Sequence, residues 1–98
     1  MIDVHNPISD LIAAAQTAFP DLDCIVYFGD VEGGHGVTVW PDDGGRVQVA
    51  VSSALALEDA LEVLAHELAH VAAGEAAGHG AEWEAAFSAI HEAYEADE

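Results

Sequence analysis

The chain has 98 residues and carries 19 acidic side chains against one basic residue, Arg46, for a formal charge of −18. That balance repels a phosphate backbone, so no nucleic-acid partner is expected. The length admits one domain, residues 1–98, with one modest core that buries somewhat over ~60% of the surface of the extended chain.

Four readings of the charge stand side by side: salt adaptation, preference for a cationic partner, imitation of nucleic acid, and a merely solvated acidic surface. The N-terminus has no basic segment followed by an apolar run, and no apolar stretch reaches the ~20 residues that span a bilayer. A soluble, cytoplasmic monomer without a membrane partner is expected. Cys24 is the sole cysteine. No intramolecular disulfide can form, and its place in an apolar run suits a buried strand residue better than a ligand.

Residues 1 to 7 read as an irregular lead-in. Asn6-Pro7, followed by Ile8, Leu11, Ile12 and Ala15, has the start signal and period of an amphipathic helix over about 8–18. Pro20 and Asp21 end it. Cys24 to Phe28 is β-branched and aromatic, as a strand requires. Gly29, Gly33, Gly34 and Gly36 then mark a loop or wide hairpin. Val37 to Trp40 alternates as a half-buried strand does, the segment 41–45 is a dense turn signal, and Val47, Val49 and Val51 resume the alternation. Short connections suggest a three-stranded antiparallel meander with its valines facing a core.

From Leu57 the period becomes helical, with Leu57, Leu61, Leu64, Leu68 and Val71 in one stripe. Glu58, Asp59 and Glu62 fall in the opening turns, where the helix dipole favours negative charge. Gly74 and Gly78 could each end this helix. Continuing to Ala77 would carry the chain ~10 Å past His70, leaving two residues to bring His79 back, so Gly74 is the better stop. A last helix over about 81–93 would bury Trp83, Phe87, Ile90 and Tyr94, with the final four residues frayed. The fold class is α+β: an N-terminal helix, the antiparallel sheet, a histidine-bearing helix and a C-terminal helix.

Chemistry concentrates at His66-Glu67-Leu68-Ala69-His70. On a helix, His66 and His70 lie one turn apart on one face, roughly opposite the leucine stripe, where both imidazoles reach one metal ion. Glu67 sits beside them, free of the metal. Two nitrogens do not hold a catalytic zinc, so a third ligand must come from elsewhere. His79, between two glycines at the start of the last helix, is the strongest candidate, with Glu82 in reserve. A helix N-terminus disfavours the protonated imidazole and keeps its nitrogen available. Trp83 follows one turn later and could brace the ligand.

The string 66–70, a glycine-containing spacer and His79-Gly80-Ala81-Glu82-Trp83 together resemble the SprT-like zinc metalloproteases and related minimal zincins. The likeness covers some 30 residues. It implies a compact zincin-like metallopeptidase domain holding Zn2+ through His66, His70 and His79, with Glu67 as general base and proton shuttle. The chain lacks the cysteine-rich zinc ribbon and basic surface of the larger SprT-like proteins, so no role at DNA crosslinks carries over. The reaction implied is hydrolysis of a peptide or protein substrate, and the acidic surface suits a basic one. Zinc would lower the pKa of bound water to near ~7, and Glu67 would take its proton.

A second stabiliser of the reaction intermediate has no clear candidate. His91 falls ~18 Å along the last helix from His79, and Tyr94 farther still. His35 could reach a cleft but suits a solvated loop histidine better. An exposed sheet edge beside the histidine helix could bind an extended peptide. The alternative function is a non-catalytic, zinc-stabilised acidic module that engages a basic partner or imitates nucleic acid. A chain with no metal at all ranks last.

Overall fold

The computed structural model describes residues 6–96, and the expected lead-in, apart from Asn6 and Pro7, and the last two residues lie outside them. Helix α1, Pro7–Ala18, opens as its sequence dictates: the Asn6 side chain accepts hydrogen bonds from the backbone N–H groups of Ile8 (3.1 Å) and Ser9 (3.4 Å), and Pro7 occupies the first turn. Strands β1 (Ile25–Gly29), β2 (Gly36–Val39) and β3 (Gln48–Ser52) follow, then α2 (Leu57–Ala73), a short 3-10 turn (Glu75–Ala77) and α3 (Ala81–Ala96). No described helix is long and apolar enough to cross a membrane.

The α+β class stands, but the sheet is not an antiparallel meander. Its order is β1-β3-β2, with β1 parallel to β3 and β2 antiparallel to it. The glycine-rich connection from β1 to β2 is therefore a loop between two edge strands and not a wide hairpin. Burial supplies the reason: Val49, Ala50 and Val51 are all buried, as suits a strand flanked on both sides, whereas a meander in chain order would place β2 at the centre.

Registration sorts the side chains into two faces. Val26, Phe28, Val49, Val51, Gly36 and Thr38 share one; Ile25, Tyr27, Ala50, Val37 and Val39 share the other. The first face packs on α2, which touches β2 and β3 and is backed in turn by α1 and α3. The expectation that all the valines face a core fails for Val37 and Val39, which stay exposed on the helix-free side with Ile25 and Tyr27.

Within α2, Leu64 and Leu68 are fully buried while Leu57 is exposed, and Ala60, Ala65 and Ala69 complete the packed surface. Small side chains let α2 lie close to its neighbours, which accounts for the abundance of alanine. In α3 the core residues are Ala86 and Ile90; Trp83, Phe87 and Tyr94 are only half-buried. Helix α3 also runs to Ala96, beyond the expected stop near Ala93.

Sheet and helix approach each other closely at Gly36. A Cβ there would lie 2.5 Å from Val63 Cγ1 and 3.3 Å from both the Ala50 carbonyl and Glu67 Cγ. Gly36→Ala should therefore destabilise the domain by about 1–3 kcal/mol through overpacking. Denaturant melts would show this as a lower midpoint at unchanged slope, and an unaltered midpoint would mean that β2 can back away from α2 at no cost.

Candidate metal centre

Helical spacing puts His66 and His70 on the same side of α2. Gly74, with φ +97°, ends that helix and donates its N–H to the His70 carbonyl at 2.9 Å. A positive φ is open to glycine and strained for other residues, so the stop is written into position 74. The 3-10 turn and Gly78, at φ +55°, then double the chain back, with the Gly80 N–H bonded to the Ala77 carbonyl at 3.0 Å. His79 arrives at the head of α3.

The three imidazoles meet through their Nε2 atoms, separated by 3.2 Å (His66 and His70), 3.0 Å (His70 and His79) and 3.2 Å (His66 and His79). Protons cannot satisfy this triangle. A neutral ring presents Nε2 as either N–H or lone pair, and among three such atoms two must be alike, so at least one contact sets donor against donor or acceptor against acceptor. One cation facing three lone pairs removes the conflict. Tetrahedral zinc at ~2.0–2.1 Å from each nitrogen would hold them ~3.3 Å apart, within a few tenths of an ångström of the observed spacing. The pKa of His70 is pushed below its ordinary value, first by burial and further by His66 and His79, against an opposing pull from Glu67. Its nitrogen is thereby kept free to ligate.

Trp83 underlies the cluster. Its indole N–H donates to the His66 carbonyl at 3.2 Å, its ring centre lies 4.8 Å, 5.6 Å and 5.0 Å from those of His66, His70 and His79, and Phe87 stacks behind it. Glu82, the reserve ligand, is exposed and does not join the converging set. Cys24 is half-buried just before β1 and away from the histidines. Burial, then Asp23, push its thiol pKa up against the pull of Arg46.

Glu67 is 7% exposed, the only charged residue buried among those described. Its Oε1 accepts a hydrogen bond from the Thr38 hydroxyl at 2.7 Å, while Oε2 lies 4.0 Å from His66 Nε2. One oxygen is thus anchored to β2 and the other is left on the histidine side. Thr38 escaped the sequence reading, because a threonine between two valines looks like the solvent-facing member of an alternating strand. The signal that could have found it is the buried carboxylate of Glu67, which demands a polar partner from whatever strand packs on α2.

A cleft of about 310 Å3 opens on His66 and Glu67, lined by His35 and Gly36, by Glu62 and Val63 from α2, and by Phe87 from α3. His35 is exposed, as a loop histidine should be, yet it reaches this lining; His91 and Tyr94 line a different cavity. A larger cavity of about 460 Å3, near Phe19, Leu22, Trp40 and Val71, contains none of the three histidines. Chemistry selects the smaller one. Of the two sheet edges, β2 is the one that borders α2.

No family, no curated protein and no solved structure matches the chain. The SprT-like resemblance accordingly rests on the residues from His66 to Trp83 themselves.

Proposed function

We propose that this chain is a zinc-dependent metallopeptidase of zincin type, in keeping with its SprT-like motif. The observation that carries the reading is the convergence of three Nε2 atoms beside a buried carboxylate that stands outside the converging set. His66, His70 and His79 would hold the metal. When bound, zinc supplies Lewis acidity toward water and toward a scissile carbonyl.

The protein's own residues supply the rest. Glu67 Oε2 takes the proton of the attacking water and returns it to the leaving amide nitrogen. Thr38 keeps Oε1 occupied, so the same oxygen is always the one presented to the histidines. The free edge of β2 gives an extended peptide a line of backbone partners that ends beside Glu67. Trp83, with Phe87 stacked on it, holds the three imidazoles in place.

Metal analysis of the purified protein, combined with cleavage of a broad peptide library, tests the proposal. One zinc per chain and chelator-sensitive cleavage are expected; a zinc-loaded protein that cuts nothing would favour the non-catalytic binding module instead. That second reading draws on the acidic surface and on the uncovered apolar face of Ile25, Tyr27, Val37 and Val39.

Thr38→Val keeps the shape of the side chain and removes its donor. It should lower kcat/KM roughly 10- to 100-fold with zinc content unchanged, and Thr38→Ser should restore most of the loss. If the valine variant matched wild type, Glu67 would need no such anchor.

A further inference from the structure

We propose, building on the peptidase reading, that the cleft selects peptides with an arginine or lysine beside the bond presented to Glu67, and that Glu62 holds the cationic head. Glu62 lies one turn before His66 on α2 and points into the same cleft. Its side chain is 63% exposed. It also lines a second cavity of about 270 Å3 that continues past Leu11, Leu61 and Tyr94. Glu62 is the residue that the two cavities share.

Apolar and acidic side chains alternate around Glu62: Glu58 and Glu95 line the second cavity with it, and Glu67 lines the first. Val63 and Phe87 wall the part nearest Glu67. A carboxylate at the margin of an apolar wall matches a side chain with a methylene stem and a charged tip: the stem lies along Val63 and Phe87, and the guanidinium or ammonium reaches the oxygens. Glutamate or aspartate in the same place would meet unrelieved repulsion, so the arrangement selects by exclusion as well as by attraction.

Among the described residues no lysine or arginine pairs with Glu62. The sole Lys or Arg, Arg46, is bonded to Asp23 Oδ1 at 2.7 Å and to the Cys24 carbonyl at 3.1 Å. The nearest cationic candidate is His91, whose Nε2 lies 3.5 Å from Glu62 Oε1 without forming a hydrogen bond and is buried with no partner among the described residues. His91 thus stands within ion-pair distance of Oε1, and a peptide cation would share the carboxylate with it.

The test uses zinc-loaded Glu67→Gln protein, which should bind peptides without cutting them. Fluorescent decapeptides on an Ala-Ser background would carry one arginine, or one citrulline of the same shape and no charge, walked along the sequence. Anisotropy is read in 0.5 M NaCl to suppress general attraction to an acidic surface. At one position arginine should bind about tenfold more tightly than citrulline. Adding Glu62→Gln should bring that ratio to near one, whereas Glu84→Gln, which removes the same charge from an exposed position outside both cavities, should leave it in place. Absence of any arginine preference, its survival without Glu62, or equal loss with Glu84→Gln would overturn the proposal. Wild-type protein given the same peptides separates the two readings. Cleavage without discrimination sinks the specificity and spares the peptidase; discrimination in binding without cleavage sinks the peptidase and spares Glu62.

Discussion

Glu67→Gln should leave zinc bound and the domain folded while peptide hydrolysis falls by ~10²–10⁴-fold, the range that positioned proton transfer contributes. Glutamine has the length of glutamate, and its carbonyl can still accept from the Thr38 hydroxyl that now bonds Oε1 at 2.7 Å. What it loses is a basic oxygen on the histidine side. Because Glu67 is buried, exchanging the charge for a neutral amide should also leave the melting temperature equal to or slightly above wild type. The decisive measurement is kcat/KM alongside metal content. Cleavage at wild-type rate in a variant of full zinc occupancy would remove Glu67 from the mechanism.

His79→Ala should weaken zinc binding by more than ~100-fold, beyond what loss of an outer partner of a ligand produces. Two nitrogens on one helix turn remain, too few for a tight site. His79 also closes the segment from Gly74 to Gly80 against α2 by meeting His66 and His70, so chelation of the wild-type protein should raise hydrogen exchange mainly after Gly74. Titration against a chromogenic chelator gives the affinity. The companion variant Glu82→Ala should bind zinc almost as wild type does. If the alanine at 82 proved the damaging one, the ligand set would have to be redrawn around an exposed carboxylate.

How much of this was legible beforehand varies with the kind of signal. Local chemistry was readable: Asn6-Pro7 starts α1, Gly74 stops α2, and the spacing of His66, His70 and His79 identifies the three residues that converge. Long-range pairing was not. Three apolar runs with short connections fit a meander as well as they fit β1-β3-β2, since periodicity says nothing about which strand lies between the others. The useful clue was the small Ala50 between two valines, which in the folded chain sits in register with Tyr27 on one side and Val37 on the other.

Alternation likewise divides a strand into two faces without saying which faces inward. In Val37-Thr38-Val39 the polar residue went in, because Gly36 and Thr38 are what α2 can accommodate at close range and what Glu67 can bond. The aromatic stripe of α3 divided in the same way. Ile90 went to the core, while Trp83 and Phe87 went to the histidine cluster, a destination that only the turn at 74–80 could create.

The place of β3 has a consequence for how the chain is made. The central strand is the last of the three to leave the ribosome, and until Gln48–Ser52 emerges neither β1 nor β2 has a partner. For that interval a nascent chain exposes two apolar strands with open edges, the condition under which neighbouring chains on one message join each other instead. The sequence brackets those strands with negative charge: Asp21 and Asp23 before β1, Asp30 and Glu32 between β1 and β2, Asp42 and Asp43 before β3. Repulsion of this kind guards an aggregation-prone segment while it waits. Part of the acidity thus serves the seconds of synthesis, before the sheet has its central strand.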